Sequence, residues 1–246
     1  MPCLYCDAEK TIEAHLIPKA FVMEVKRDRG EKHLVIHQGR DRPIVSNTGV
    51  YDRDILCADC DGILGQYEGY AHAILKRLRT IQAPAGTIVP VDPIDGDMMT
   101  RFAAGIAWKY AVTKPERGQL SLGPYQAILA RVALGGGPIP HSIDVAMIRI
   151  VELDGDVYYY RAPVPDRKYD ANVIRFCVGS FVFFLKIDKR PNGRTLPPEC
   201  WLRGRAKGAF LTAPAELFEE GKLHAKLAGR HPVRQFFQTM CERSKG

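Results

Sequence analysis

Two C-x-x-C pairs carry the clearest chemistry in this chain. Cys3-Leu4-Tyr5-Cys6 opens it, and Cys57-Ala58-Asp59-Cys60 follows. Two thiolates three positions apart can grip one side of a metal ion, and a second pair closes a tetrahedron. Zinc held by Cys3, Cys6, Cys57 and Cys60 has no open coordination position. It would be structural, and any catalysis would fall to neighbouring side chains. One such pair alone would also fit a redox dithiol. Neither pair here sits in the strand-to-helix context of a thioredoxin-like site. Between the pairs runs Glu13-Ala14-His15-Leu16-Ile17-Pro18.

The elements that would position these residues are short. The first pair fits a tight turn, with a strand or turn around His15 and a brief helix over residues 18–25. Residues 33–37 read as a strand. The second pair leads into a helix over residues 62–79, where Ile63, Leu64, Tyr67, Ala71, Ile74, Leu75 and Leu78 recur at helical spacing. A knuckle, a hairpin and a helix whose first turn carries the last ligands make a treble-clef arrangement. Residues 81–97 hold three prolines and two glycines and read as a linker. Helices are expected over 98–113 and 124–134. Strands follow over 145–153 and 157–162, flanking Asp154-Gly155-Asp156, a strong hairpin signal. A second strand pair turns at Gly179, and two helices end the chain over 214–228 and 232–243. The expected class is α+β, with a zinc module over residues 1–80 and a second domain with an antiparallel sheet over 98–246.

The bulk properties agree with an ordinary globular chain. Of 246 residues, 46% are hydrophobic and 26% charged. The most apolar run, residues 176–185, is about half a membrane span and reads as a buried strand. No leader is visible at the start, and Cys177, Cys200 and Cys241 are odd in number and scattered. Both features suit free thiols in a reducing, cytoplasmic setting. The net charge is +7. Residues 1–80 balance with 12 basic and 12 acidic residues, so the excess lies beyond them. A polyanion surface is therefore expected in the second part.

The run C-x-x-C, His-Leu-Ile-Pro and Ile-Leu-Cys-Ala-Asp-Cys-Asp resembles the zinc-containing branch of the HNH endonucleases, over about residues 1–75. The resemblance implies a ββα-metal fold. It implies His15 as the general base that activates water for attack on a phosphodiester, a task suited to imidazole. Asp52 stands where the family has an Asn that orients the histidine. Asp61 follows Cys60, where a catalytic metal ligand is usual, and Glu68 lies on the same helix face. The catalytic ion would be Mg²⁺ or Mn²⁺ on oxygen ligands, distinct from the structural zinc. The chain departs from the family pattern in three ways. Its acid is displaced to Glu13, the Asn is Asp52, and the final His or Asn is Asp61. Each residue also has a plainer reading: His15 as a cap on the zinc knuckle, Asp61 as a helix N-cap, Asp52 as a turn residue.

Residues 186–207 carry seven basic and two acidic residues on a Pro- and Gly-rich stretch. Lys189, Arg190, Arg194, Arg203, Arg205 and Lys207 could meet phosphates, with Trp201 able to stack on a base or to anchor the loop. The leading expectation is an HNH-like, metal-dependent DNA endonuclease, in phage defence or a mobile element. The alternative is a non-catalytic zinc module that binds nucleic acid or a protein partner, and the C-terminal domain could itself engage such a partner.

Overall fold

The computed structural model describes residues 1–29, 33–35, 44–46, 48–151, 160–168, 171–192 and 196–228. The chain begins with a turn at residues 4–6 whose exit is Asp7, in the left-handed region at φ 61°. β1 (Ala14–His15) follows, then α1 (Lys19–Arg29), β2 (His33–Val35), β3 (Ile44–Ser46) and β4 (Tyr51–Asp52). β1 and β4 pair antiparallel, Ala14 opposite Asp52 and His15 opposite Tyr51; β2 pairs with β3. α2 (Ala58–Arg79) is the long helix of this part, and its buried stripe includes Leu64, Ala71, Ile74, Leu75 and Leu78. It begins four residues earlier than periodicity suggests, because Cys57 is its N-cap and Asp59 and Asp61 favour its positive end.

The rest of the chain adds β5 (Ile88–Val91), α3 (Gly96–Val112), α4 (Tyr125–Leu134), β6 (Ile143–Val151), β7 (Arg161–Lys168), β8 (Ala171–Val178), β9 (Phe181–Ile187), β10 (Gly208–Pro214) and α5 (Glu219–Ala228). Six strands form one sheet in the order β5-β10-β6-β9-β8-β7, antiparallel throughout except for β10 with β6. The chain is thus a mixed α+β protein with a largely antiparallel sheet. The segment read as a linker joins that sheet instead. β5 is an edge strand, where Pro90 costs no ladder bond, and Val89 and Val91 alternate inward. The glycine expected to turn a strand pair does so between β8 and β9, at φ 56°. The Asp154 hairpin turn, the 232–243 helix, Arg194 and Cys241 lie outside the described residues.

α3 is buried nearly all round, between the sheet and the pair α2 and α4. Such a helix must be apolar on every side, and its small residues let neighbours close in. A Cβ at Gly105 would lie 3.1 Å from Leu64 of α2. One cluster of buried side chains runs from Cys3, Leu16 and Phe21 through Leu64 and Phe102 to Phe176, Phe183 and Phe210 of the sheet. The two parts of the chain therefore share a core. Buried Arg79 at the end of α2 adds to the join. It pairs with Glu24 of α1 and donates to the carbonyl of Gly179 at 3.3 Å. The opposite face of the sheet carries a second cluster, which includes Cys177, Phe184, Trp201 and Phe218.

Candidate metal centre and the polar cluster beside it

The four thiols converge although their two pairs are far apart in sequence. The ligand atoms of Cys3, Cys6, Cys57 and Cys60 all lie within 4.8 Å of one another. Cys6 Sγ is 3.6 Å from Cys57 Sγ and 3.5 Å from Cys60 Sγ. An ion with metal–sulfur bonds of about 2.3 Å sets its sulfurs roughly 3.8 Å apart in a tetrahedron, so the tetrad can hold a metal ion such as zinc. Backbone hydrogen bonds set the cradle. Cys3 N–H donates to Ala8 O at 2.8 Å and Asp7 N–H to Cys3 O at 3.1 Å, while Leu4 N–H donates to Ile55 O at 3.0 Å. The second pair sits at the N-cap and first turn of α2, where burial and the neighbouring sulfurs push the Cys60 thiol well up. Burial pushes the Cys3 thiol up, but the N–H groups of Cys6, Tyr5 and Cys57 outweigh it and bring the value to about 7. Cys6 is the exposed member; the other three are buried.

His15, Asp61 and Glu68 lie on the side of β1 and α2 that faces α3, and they meet there a residue that the sequence reading did not single out. The ammonium of Lys109, in α3, donates to Glu68 Oε1 at 2.6 Å and to the backbone carbonyl of His15 at 2.5 Å. Lys109 is only 1% exposed. Burial holds the His15 imidazole below its ordinary value, the charges of Lys109 and Lys19 push the same way, and Glu68 and Glu13 oppose them. Burial raises the Asp61 carboxyl, with Lys109 opposing and Glu68 adding to the rise. The Nε2 atom of His15 is enclosed and makes no hydrogen bond. Asp61 is not a helix cap, since the N-cap is Cys57 and Asp61 lies a turn inside α2.

Asp52 does not join this group. It is opposite Ala14 in the β1–β4 ladder, so it leaves that strand pair on the face away from His15 and Tyr51. Its carboxylate accepts from Thr113 Oγ1 at 2.7 Å, Arg117 Nη1 at 2.9 Å and the N–H of Asp54 at 3.0 Å. Burial would raise its pKa, but Thr113, the Asp54 N–H and Arg117 outweigh that and hold it below the usual carboxylate range. Glu13 also turns elsewhere, to Arg53.

The resemblance implies a hard cation held by Asp61 and Glu68, and the side chains as placed do not fit one. Such an ion needs several oxygen ligands around one point. Among the described residues, the cysteine tetrad is the single group of three or more His, Cys, Asp or Glu side chains with converging ligand atoms. Glu68 is taken up by an ammonium group.

The basic stretch is interleaved with acids. Lys207 pairs with Asp92 at 2.6 Å, Arg190 faces Asp188 at 3.7 Å, and Gly204 N–H donates to Asp97 at 2.7 Å. Arg203 is half-buried, and Lys189 and Arg205 are exposed. Trp201 is 5% exposed and bridges to Ala146 of β6, so it anchors the loop and offers no stacking face.

A sequence signal for Lys109 does exist. Within Phe102-Ala-Ala-Gly-Ile-Ala-Trp-Lys-Tyr-Ala-Val112 it is the single charge. A charge inside an apolar helix needs a partner. Comparison of the chain with known protein families, with curated proteins and with solved structures finds no match. No helix among the described residues is long and apolar enough to cross a membrane.

Proposed function

We propose that this chain is an HNH-like nuclease, a phosphodiester-cleaving enzyme built on a treble-clef module whose structural ion is zinc in the Cys3–Cys6–Cys57–Cys60 tetrad. DNA is the proposed substrate and the cytoplasm the proposed setting, with phage defence or a mobile element as the biological context. The observation that carries the reading is the His15 imidazole. Its Nε2 is enclosed without a hydrogen-bond partner. A buried polar atom of that kind marks a place where a water belongs. Burial and two lysines keep the ring in its proton-accepting form, as a general base requires. In this reading His15 takes a proton from the water that attacks the phosphodiester, and Asp61, its carboxyl raised by burial, lies near enough to Lys109 and Glu68 to share the same field.

A second reading rests on the commitments of Asp52 and Glu68. The first is bound to Thr113 and Arg117, the second to Lys109. A zinc module in which these acids only hold the fold together would bind nucleic acid or a protein partner without cutting. Cleavage assays separate the two. Zinc-loaded wild type should nick plasmid DNA, and His15→Ala of equal zinc content should lose about 10²- to 10⁴-fold in rate. Equal rates in the two proteins would leave the binding module standing.

A further inference from the structure

The cluster beside the tetrad has the charge pattern of a metal site without the ligand geometry of one. Asp61 and Glu68 contribute two acids from one helix, and His15 an imidazole from β1. Beside them lies the ammonium of Lys109, 2.6 Å from Glu68 Oε1, and its charge acts on both Asp61 and His15. Burying an ammonium is costly unless it is paired and hydrogen-bonded. Lys109 meets that condition with a carboxylate and a backbone carbonyl drawn from two other elements. Its neighbours along the helix, Trp108 and Tyr110, are buried apolar rings. An apolar side chain would complete α3 at lower cost, so packing alone does not account for a charge at this position.

We propose that Lys109 is the built-in cation of the site. Its ammonium neutralises Glu68 where a divalent ion would otherwise be required, and it fixes β1 by gripping the His15 carbonyl. The site therefore takes up no second metal. Lys109 is enclosed, so it acts through His15 and Glu68 as a positioning residue and does not touch substrate. It also belongs to α3. The cluster is thus completed from beyond residues 1–80, and the zinc module alone would lack its cation. The role of Lys109 in turnover rests on the nuclease reading, whereas the exclusion of a second metal does not.

The test is Mn²⁺ binding followed by electron paramagnetic resonance on the full, zinc-loaded chain. Wild type and Lys109→Arg, which keeps the charge, should bind no stoichiometric Mn²⁺. Lys109→Met, which frees Glu68, should show a bound-Mn²⁺ signal that wild type lacks, and the signal should vanish in Lys109→Met with Glu68→Gln. If Lys109→Met does not fold, as judged by zinc content and circular dichroism, wild type against Glu68→Gln decides. A stoichiometric Mn²⁺ site in wild type that Glu68→Gln removes overturns the proposal, and so does a Lys109→Met protein that folds and gains no such signal. Cleavage in buffer without added Mg²⁺ or Mn²⁺ should proceed at the full rate and should be kept in Lys109→Arg. An absolute requirement for either ion also overturns it. Absence of all cleavage would remove the nuclease reading and leave the Mn²⁺ result to stand on its own.

Discussion

The tetrad and the Lys109 cluster share two elements, the N-terminal strand-pair region and α2, yet they are built in different ways. The tetrad is local within each pair, although its two pairs lie 51 positions apart. Two C-x-x-C turns supply every ligand, and backbone bonds among residues 3–8 and 55–61 hold them in place. The cluster is tertiary. It forms only when β1, α2 and α3 pack together, and its cation comes from an element beyond residues 1–80. A local site is specified by spacing and stabilised by its ion. A tertiary site is specified by packing and is as stable as the core around it.

The largest effect should come from breaking the local site. Cys57→Ser should abolish zinc binding and unfold the N-terminal part, because metal binding and folding are one process in such modules. Metal analysis and circular dichroism would read both losses. Because the two parts share a core, the damage should spread into α3. Unfolding confined to residues 1–80 would show that the core is less continuous than described.

Breaking the tertiary site should cost less. Lys109→Ala removes one partner of a buried pair whose other member, Glu68, is 21% exposed. The expected loss is about 3 kcal/mol, at the lower end for broken buried pairs, read from urea midpoints at equal zinc content. A loss under about 1 kcal/mol would class Lys109–Glu68 with surface pairs.

Asp52 sharpens the comparison by pH. Its folded pKa lies below the unfolded value near 3.9. Its contribution is therefore complete above that value and is lost as pH falls through the lowered one. Asp52→Asn should lower stability at pH 7 and narrow its gap to wild type below about pH 3. A gap that stays constant across this range would mean that the hydrogen bonds, not the charge, carry the effect.

The smallest effect is expected on the basic stretch. Replacing Lys189, Arg190, Arg203 and Arg205 with Ala should flatten the salt dependence of any DNA binding by about two phosphate contacts, not four. Arg190 already faces Asp188, and Arg203 is half-buried. A drop of four would mean that the acids of this surface swing aside on binding.

What was legible in the sequence follows the same division. Cys3, Cys6, Cys57 and Cys60 could be paired from spacing alone, and α2 could be read from periodicity. The family resemblance grouped His15, Asp61 and Glu68, although α1, β2, β3 and β4 lie between β1 and α2. It could not place Asp52. The ladder register sends that residue to the other face of the strand pair, and register is a property of two strands. Lys109 is the single charge of its apolar stretch, but its partners could not be read because they depend on what packs against α3. β5 was hidden because prolines that suggest a linker are also tolerated at a sheet edge. Trp201 looked available on a basic loop, but its β-bridge to Ala146 draws it inside.

The central claim is that His15 is the base of a phosphodiester-cleaving site. The most direct measurement is the pH dependence of plasmid nicking by zinc-loaded wild type beside His15→Ala. The folded pKa of His15 lies below its ordinary 6.5. The midpoint of the acid limb of the wild-type profile should therefore lie below pH 6.5. His15→Ala should show a residual rate without that limb. A wild-type rate that matches His15→Ala at every pH, or an acid limb that survives the substitution, would contradict the account.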